Sequence, residues 1–383
     1  MELLEAVFNG IATGSVLLLA ALGLAITFGL MGVINMAQGE FMMLGAYTTF
    51  VVQNAFKNWG QPWQESYVFV ALVAAFAVTA LFGLFLERLV VRFLYDRPLE
   101  TLLATWGVSL ILQQFVRSVN WALVAGLAVF VLLFWGALGC LQWQRRRLPD
   151  WGKWVFLALA AAIGLTTMVV LGRQFGLAVN KPWFGAQNVD VTAPAWLRTG
   201  LRVSETLQLP YTRIFIIVLT TLCLVGVWLF LYRSPWGLRI RAVTQNRAMS
   251  ACLGINTDHV DALTFALGSG LAGIAGCAVS FLGSVGPNTG QNYIVDMFMV
   301  VVVGGVGNLL GTILAALGIG TLNYLLGSGT IAALVQPLPG IYDFFNFFAS
   351  TSMAKVLLFA LIVAFLQYRP AGLFPQRGRM VES

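Results

Sequence analysis

Two groups of amide and carboxylate side chains interrupt the strongly apolar sequence of this chain. They are Asn35, Gln38 and Glu40 in the first group, and Asn288, Asn292 and Asp296 in the second. A carboxylate at membrane depth costs about 2.5–3.5 kcal/mol on insertion scales, so such residues usually face a bundle interior or a water-filled cavity. We expect both groups to line a route for a polar solute. A buried structural network, with Glu40 at a helix N-terminus, is a compatible alternative.

No catalytic motif accompanies these polar groups. The sequence has no GxxxxGK[ST] loop for nucleotide phosphates, no HExxH zinc motif and no GxSxG nucleophile motif. The four cysteines are scattered without ligand spacing, and we interpret them as small buried hydrophobes. The single histidine, His259, is expected at a membrane edge as a surface residue. We therefore predict no catalytic residue, no metal site and no cofactor on this chain.

The apolar composition predicts the elements that position these groups. Of the 383 residues, 59% are hydrophobic and 10% are charged, whereas soluble domains have roughly 25% charged residues. Since a spanning helix takes about 20 mostly apolar residues, little sequence is left for an aqueous domain, which excludes a built-in ATPase. We predict an all-α integral membrane protein, a polytopic helical bundle of about 9–11 transmembrane segments with interrupted helices.

Long apolar runs define these segments. They lie approximately at 7–29, 36–54, 67–87, 101–118, 121–141, 154–171, 213–232, 261–282, 293–305, 308–326 and 353–367. All twelve prolines lie in or beside the gaps, as expected because proline removes a helix hydrogen bond that lipid cannot replace. The sequence at 293–327 fits either a pair of short helices or a re-entrant hairpin.

Basic residues cluster on one side of the predicted segments. They lie in loops 88–100, 142–153 and 233–260 and in the C-terminal tail. By the positive-inside rule this side is cytoplasmic, which predicts an outside N-terminus and a cytoplasmic C-terminus. The net charge of +7 then reflects orientation in the membrane rather than nucleic-acid binding. The N-terminal stretch has no basic residue, so we expect it to be retained rather than cleaved as a signal peptide.

The chain is predicted to be one transmembrane domain, residues 1–383, with a helical hairpin inserted at 119–182. Two added crossings leave the orientation of the downstream segments unchanged, and the hairpin has few polar groups, so we interpret it as peripheral. Small residues at four-residue spacing, including Gly10 with Gly14 and Gly268 with Ala272 and Gly276, predict close packing between helices of this chain.

The loop 233–260 is the longest of the predicted basic cytoplasmic loops. No helix breaker occurs from Arg239 to Leu253, and Gly254 is placed to cap the C-terminus of a helix. The pattern predicts a short helix on the cytoplasmic face. Its arginines can hold it on lipid headgroups, or its small residues, such as Ala248, can contact a partner protein.

The stretch 21–46, which contains ITFGLMGVINMAQGEF, resembles the signature of branched-chain amino acid type ABC transporter permeases. In that family a histidine commonly precedes the Gly-Glu pair, whereas this chain has Gln38, which argues against a proton-linked role. Residues 241–256 resemble the cytoplasmic coupling segment of the family, and residues 369–374 its C-terminal pattern. The resemblance implies that Arg241, Ala248 and Gly254 contribute to coupling with an ATPase.

Two further stretches, 99–114 and 184–196, are similar to the urea-specific permeases of this family. The resemblance implies that the chain translocates urea by alternating access across a bacterial cytoplasmic (inner) membrane. It also implies a second permease subunit, two ABC ATPase subunits that hold ATP and Mg, and an extracytoplasmic solute-binding protein. Arg173, Arg198 and Arg202 are then expected to meet acidic residues of that binding protein.

Three alternatives stay open at this point. A branched-chain amino acid permease transports a zwitterion, which needs charge recognition that urea does not need. An autonomous urea channel or secondary transporter would work without ATP or partners, and loop 233–260 would then be dispensable. An intramembrane enzyme is disfavoured because the catalytic residue sets are missing.

Overall fold

The computed structural model describes residues 2–57, 60–95, 97–143, 159–160, 162–170, 173, 182–184, 187–202, 208–336 and 339–374. Parts of the predicted hairpin at 119–182, the basic loop 144–153 and the tail beyond residue 374 lie outside the described residues. The chain consists of two compact units, a larger one formed by residues 1–110 and 189–383 and a smaller one formed by residues 111–188.

Helices dominate the described residues. In chain order the elements are α1 (Glu2–Met31), α2 (Gln38–Phe56), α3 (Gln61–Leu89), a 3₁₀ turn (Val91–Leu94), α4 (Pro98–Ser118), α5 (Trp121–Trp143), α6 (Ala195–Arg198), β1 (Gly200–Arg202), β2 (Gln208–Pro210), α7 (Tyr211–Arg233), α8 (Pro235–Gln245), α9 (Arg247–Cys252), α10 (Thr257–Ser280), α11 (Thr289–Gly304), α12 (Leu309–Gly327), α13 (Thr330–Leu334), α14 (Pro339–Phe347) and α15 (Thr351–Tyr368). The two short strands pair antiparallel, with Leu201 opposite Leu209.

In the described part of the chain, seven helices are long and apolar enough to cross a membrane: α1, α3, α4, α7, α10, α12 and α15. The other predicted runs correspond to α2, α5, α11 and the helical residues 162–170. This confirms the predicted all-α polytopic fold with interrupted helices. The sequence at 293–327 forms two helices, α11 of 16 residues and α12 of 19 residues.

Helices α1 and α10 form the centre of the larger unit. Their most apolar windows are 83% and 78% buried, against 17–39% for the other five candidate spans. Large apolar side chains cover the outer helices, and Val73 and Leu81 of α3 are each 70% exposed, as expected for a surface that contacts lipid.

Glycine contacts hold the central helices close together. A Cβ atom at Gly23 would lie 2.2 Å from the carbonyl oxygen of Gly268, and one at Gly14 would lie 2.9 Å from the carbonyl oxygen of Ala316. These distances are too short for a side chain, so the backbones of α1, α10 and α12 approach directly. The predicted packing of small residues within one chain is confirmed.

The larger unit has two distinct ends. At the first end, which we call the α8–α9 end, the amide of Leu373 donates to the carbonyl oxygen of Val303 at 2.8 Å. A cavity of about 310 Å³ lies there between the end of α1, the start of α4, α8 and α10. At the opposite end, Val189 and Val285 form a bridge with hydrogen bonds of 2.8 and 2.9 Å.

Side-chain caps set the boundaries of the helices at the α8–α9 end. Ser234 accepts from the amide of Gly237 before α8, Asn246 accepts from the amide of Met249 before α9, and Asn256 caps α10. The sequence predicted one helix from Arg239 to Leu253, and this was wrong. The polypeptide is extended at Asn246, with φ −152° and ψ 99°, because its side chain caps a second helix.

The smaller unit, residues 111–188, contains the end of α4, α5 and the helical residues 162–170. Gly126 and Gly164 face each other across two of its helices, since a Cβ at Gly126 would lie 2.7 Å from the carbonyl oxygen of Gly164. The amide of Trp183 donates to the carbonyl oxygen of Val119 at 2.9 Å, and the Trp121 and Trp183 rings pack edge to face. This unit covers the sequence range in which an inserted hairpin is predicted.

Candidate functional site

The connection between α1 and α2 is a partly buried, non-helical segment of residues 32–37, in which Val33, Asn35 and Ala37 are buried. It starts at Gly32, whose φ of +70° favours glycine. The amide of Ala37 donates to Asn35 Oδ1 at 3.0 Å, and Asn35 Nδ2 donates to Gln38 Oε1 at 3.2 Å. Gln38 Nε2 then donates to the carbonyl oxygen of Gly268 in α10 at 2.9 Å. The side chains of Asn35 and Gln38 thus form hydrogen bonds with polar groups at this break between two helices, where lipid could offer none.

Helix α4 also forms hydrogen bonds with the connection between α1 and α2 and with the start of α2. Thr105 Oγ1 accepts from the amide of Met36 at 3.1 Å and donates to the carbonyl oxygen of Thr101 at 2.8 Å. Ser109 Oγ donates to Glu40 Oε1 at 3.1 Å. Glu40 is in the first turn of α2, where a carboxylate is favoured by the helix dipole. The first predicted group is therefore buried in a hydrogen-bonded network, as in the structural alternative of the sequence analysis.

The two polar groups predicted from the sequence meet at one point of the fold. A Cβ atom at Gly39 would lie 2.4 Å from the carbonyl oxygen of Gly290, so the starts of α2 and α11 touch backbone to backbone. Asn288 and Asn292 are exposed beside this contact, and Asp296 is buried one turn further along α11. The first group thus lies inside the protein, whereas the amides of the second group face outward. Their role as solute contacts stays a prediction.

Asp296 has a partner that the sequence analysis missed. Lys355 Nζ in α15 lies 2.8 Å from Asp296 Oδ2. A lysine within the apolar run 353–367 was the signal available in the sequence, because an ionisable residue inside a membrane segment needs a partner.

Helix α9 presents an exposed surface at the α8–α9 end. Ala248, Met249 and Leu253 are exposed, and so is the thiol-bearing residue Cys252. Gly254 has φ +82°, and its amide and that of the next residue bond to carbonyl oxygens of the last turn in a Schellman motif. The predicted C-cap at Gly254 is confirmed. Helix α9 thus exposes four small or apolar residues: Ala248, Met249, Ala251 and Cys252.

Arg241 and Arg247 tie the α8–α9 segment to its neighbours. Arg241 of α8 stacks over the ring of Tyr232 with its guanidinium carbon 5.0 Å from the ring centre. Arg247 of α9 lies 2.8 Å from Asp261 Oδ2 and 3.8 Å from Asp258 Oδ1, both in α10. Arg247 was not among the residues predicted from the sequence, although two carboxylates three residues apart at a helix start are a signal for an arginine partner.

Tyr95 extends this contact towards α3. The guanidinium carbon of Arg247 lies 4.7 Å from the centre of the Tyr95 ring. Burial raises the pKa of Tyr95, and the nearby Asp261 and Glu87 raise it further, so the phenol stays protonated. Its hydroxyl donates to Glu87 Oε1 at 3.0 Å. We call Arg247, Asp258, Asp261 and Tyr95 the Arg247 clamp, since they connect α9 to α10 and to the connection between α3 and α4.

Of the three arginines predicted to meet a binding protein, Arg198 and Arg202 lie four residues apart in the larger unit, and Arg173 lies in the smaller unit. Arg198 is exposed at the opposite end, and its Nε donates to the carbonyl oxygen of Ala193 at 2.7 Å. Arg202 is in β1, and Arg173 is an exposed residue of the smaller unit. Their proposed contacts stay a prediction. The described residues contain no cluster of three or more metal-ligating side chains.

Comparison with known proteins gives consistent results over almost the whole chain. The family model described as branched-chain amino acid transport system / permease component matches residues 6–366. The high-affinity branched-chain amino acid transport system permease protein LivH of Escherichia coli (strain K12) is 25% identical over 372 residues, 97% of this chain and 94% of the relative. Its counterpart BraD of Pseudomonas aeruginosa is 26% identical over 319 residues, 83% of this chain and 84% of the relative.

A ribose permease matches a shorter part of the chain. The ribose import permease protein RbsC of Bacillus subtilis (strain 168) is 33% identical over 124 residues, 30% of this chain and 38% of the relative. No solved structure matches the chain.

Proposed function

Because the chain belongs to the family of branched-chain amino acid transport system permease components, we propose that it forms one half of the membrane pathway of an importer for a small polar solute. The chain is a permease subunit of the ABC importer class and not an enzyme, since the family model and the relatives that it matches are transport system permeases. The observation that carries the proposal is the contact of two polar helix breaks inside an apolar bundle, at Gly39 and Gly290.

Importers of this class work with ATPase and substrate-binding partners. We propose a second permease subunit across the exposed polar side of α11, two ATPase subunits that bind ATP and Mg, and a solute-binding protein at the opposite end. The basic residues of the 3₁₀ turn, α8 and α9 support a cytoplasmic position of the α8–α9 end in the inner membrane, and with it a cytoplasmic C-terminus.

The exposed surface of α9 supports coupling to the ATPases. Ala248 and Met249 project from a helix that the Arg247 clamp joins to α10 and to the α3–α4 connection. A displacement of α9 by an ATPase therefore acts on α10, which packs against α1, α2 and α3. In this scheme ATP binding and hydrolysis on the partner change which of two helix arrangements is populated, and the pathway opens to alternate sides.

Asn35, Gln38 and Glu40 are proposed to support the pathway, because Gln38 joins the connection between α1 and α2 to Gly268 of α10 and Glu40 joins it to Ser109 of α4. Asn35 donates to Gln38 and so holds that side chain in place. Asn288 and Asn292, which are exposed, and Asp296, which is buried one turn further along α11, are proposed to contact the solute. This divides the six predicted residues into a supporting group and a contacting group.

Two solutes have specific support. The names of the relatives favour a branched-chain amino acid, which is the first candidate. The similarity of residues 99–114 and 184–196 to urea-specific permeases favours urea as the second candidate. Competition between labelled leucine and unlabelled urea for ATP-dependent uptake, and the reverse experiment, decides between them.

Co-purification from native membranes tests the proposal as a whole. We expect ATPase subunits to purify with the chain and uptake to require ATP. Replacing Ala248 with arginine and Gly254 with aspartate should leave the chain inserted but abolish coupled uptake, since the first substitution adds a bulky charge to the exposed surface of α9 and the second strains its cap. His259→Arg, which adds a charge at an exposed position of α10, is the matched control. Wild-type uptake by the Ala248 and Gly254 variants, or transport in liposomes without ATP, would refute the proposal.

A further inference from the structure

The proposed function assigns no role to Lys355, which forms an ion pair with Asp296 in the larger unit. Its two atoms, Asp296 Oδ2 and Lys355 Nζ, are 2.8 Å apart. The carboxylate side chain is 8% exposed and the lysine side chain 36% exposed. An ion pair taken out of water gains little net stability, because desolvation offsets the attraction between the charges. A structural role alone is therefore a weak reason for its presence within membrane helices.

Exposed amides continue from this pair along α11. Asn288, Gln291, Asn292 and Val295 are exposed at the spacing of one helix face, and Asp296 follows one turn after Asn292. Amide groups that face hydrocarbon are unfavourable, since lipid offers them no hydrogen bonds. This side of α11 therefore contacts water or protein rather than acyl chains.

The start of α11 lies deep in the bundle. Gly290 touches Gly39, and the adjacent Gln38 donates to the carbonyl oxygen of Gly268. Gly268 is near the middle of α10, which runs from Thr257 to Ser280 and is a candidate membrane span. Residues 281–288 thus return from the end of α10 to its middle. The amides at the start of α11 are consequently level with the interior of the membrane.

We propose that Asp296 and Lys355 contact the transported solute directly. The inference rests on the proposed function of the chain as a permease. The ammonium of Lys355 donates to an oxygen of the solute, and the carboxylate of Asp296 accepts from an N–H group of the same molecule. The site thus selects a small solute with an oxygen acceptor and an N–H donor a few ångströms apart. A branched-chain amino acid offers a carboxylate and an ammonium group, and urea offers a carbonyl oxygen and amide N–H groups.

A charge swap separates solute contact from a purely structural ion pair. Asp296→Lys combined with Lys355→Asp restores the attraction between α11 and α15 but reverses the polarity presented to the solute. We expect the swapped protein to insert and to purify with its ATPase subunits. We also expect the KM for uptake to rise roughly tenfold or more, as for the loss of hydrogen bonds to charged groups. A KM equal to that of the wild type in the swapped protein would overturn the inference.

Lys355→Arg keeps the experiment decisive if the swapped protein does not insert. This variant preserves the ion pair and its charge, but its planar guanidinium places the donors differently. We expect normal assembly with a changed KM or a changed preference between leucine and urea, and an unchanged KM and preference would contradict solute contact. The matched control is the swap of Arg97 and Glu100, an exposed ion pair of 3.2 Å, which should leave the KM unchanged.

Uptake measurements with leucine and with urea also identify which of the two solutes the site binds. If the solute is an amino acid, the swapped side chains repel both of its charges. The KM for leucine then rises by a larger factor than the KM for a neutral solute would. If the solute is urea, the KM for urea rises and leucine does not compete. Failure of the proposed function can be distinguished from failure of this inference. If the proposed function is wrong, the wild-type chain itself does not associate with ATPase subunits or takes up solute without ATP.

Discussion

Neutralising Arg247 should uncouple ATP hydrolysis from transport without detaching the ATPase. Ala248 and Met249 of α9 are exposed, and Arg247→Gln leaves both of these side chains unchanged. Arg247→Gln removes the contacts to Asp261 at 2.8 Å, to Asp258 at 3.8 Å and to the Tyr95 ring. Helix α9 would then still meet its partner, but its displacement would no longer act on α10.

The contacts of Arg247 give the size of the effect. Breaking a fully buried ion pair costs about 3–5 kcal/mol. The Arg247 side chain is 43% exposed whereas that of Asp261 is 7% exposed, so solvent screening reduces the cost to about 2 kcal/mol. Loss of the stacking over Tyr95 adds about 0.5–1 kcal/mol. Because 1.36 kcal/mol is a factor of ten, the equilibrium between clamped and released α9 shifts by roughly 100-fold.

The assay is solute transported per ATP hydrolysed by the complete complex in liposomes. We expect Arg247→Gln to retain ATP hydrolysis and ATPase association while this ratio falls at least tenfold. The double variant with Asp261→Asn should recover part of the stability, because it removes the unpaired buried carboxylate. Arg239→Gln is the control, since Arg239 stacks over Trp236 on α8 outside the clamp. A wild-type ratio in Arg247→Gln would refute the role of the clamp in transmission.

Three further outcomes follow from the contacts described. Gly39→Ala should lower the thermal midpoint of the detergent-solubilised protein by several degrees, because the new Cβ meets the carbonyl oxygen of Gly290 at 2.4 Å, whereas Gly318→Ala, with open space at its Cβ, should not. Gln38→Leu should destabilise the protein by about 1–3 kcal/mol through the lost bond to α10, with an unchanged KM for uptake, and a changed KM would instead indicate solute contact. Arg198→Glu should weaken association with the solute-binding protein, more at low than at high salt, and equal binding at low salt would exclude this contact.

The membrane fold was predictable from the sequence because its signals are local. Apolar runs of spanning length, prolines between them and small residues at four-residue spacing each depend on neighbours in the chain. The break at residues 32–37 was predictable in the same way, from glycines and amides between two apolar runs. The structure adds that α4 and α10 satisfy this break through Thr105 and Gln38.

The partners of charged residues were not predictable, because they come from distant parts of the chain. Asp296 was recognised as unusual, but Lys355 lies 59 residues further on, and periodicity alone does not show which faces of α11 and α15 meet. The break at Asn246 was missed for a different reason. Asparagine is tolerated within helices, and only its use as a cap for α9 reveals the boundary.

The exposed thiol of Cys252 gives the last turn of α9 a natural attachment point for a reporter. Of the cysteines whose side chains are described, Cys223 and Cys277 are buried, whereas Cys252 is exposed. A maleimide dye that does not cross membranes should therefore react with Cys252 in the folded protein when it is applied from the side on which α9 lies. Labelling from one side of sealed vesicles reports the orientation of α9, and quenching of the bound dye follows the arrival of the ATPase in real time.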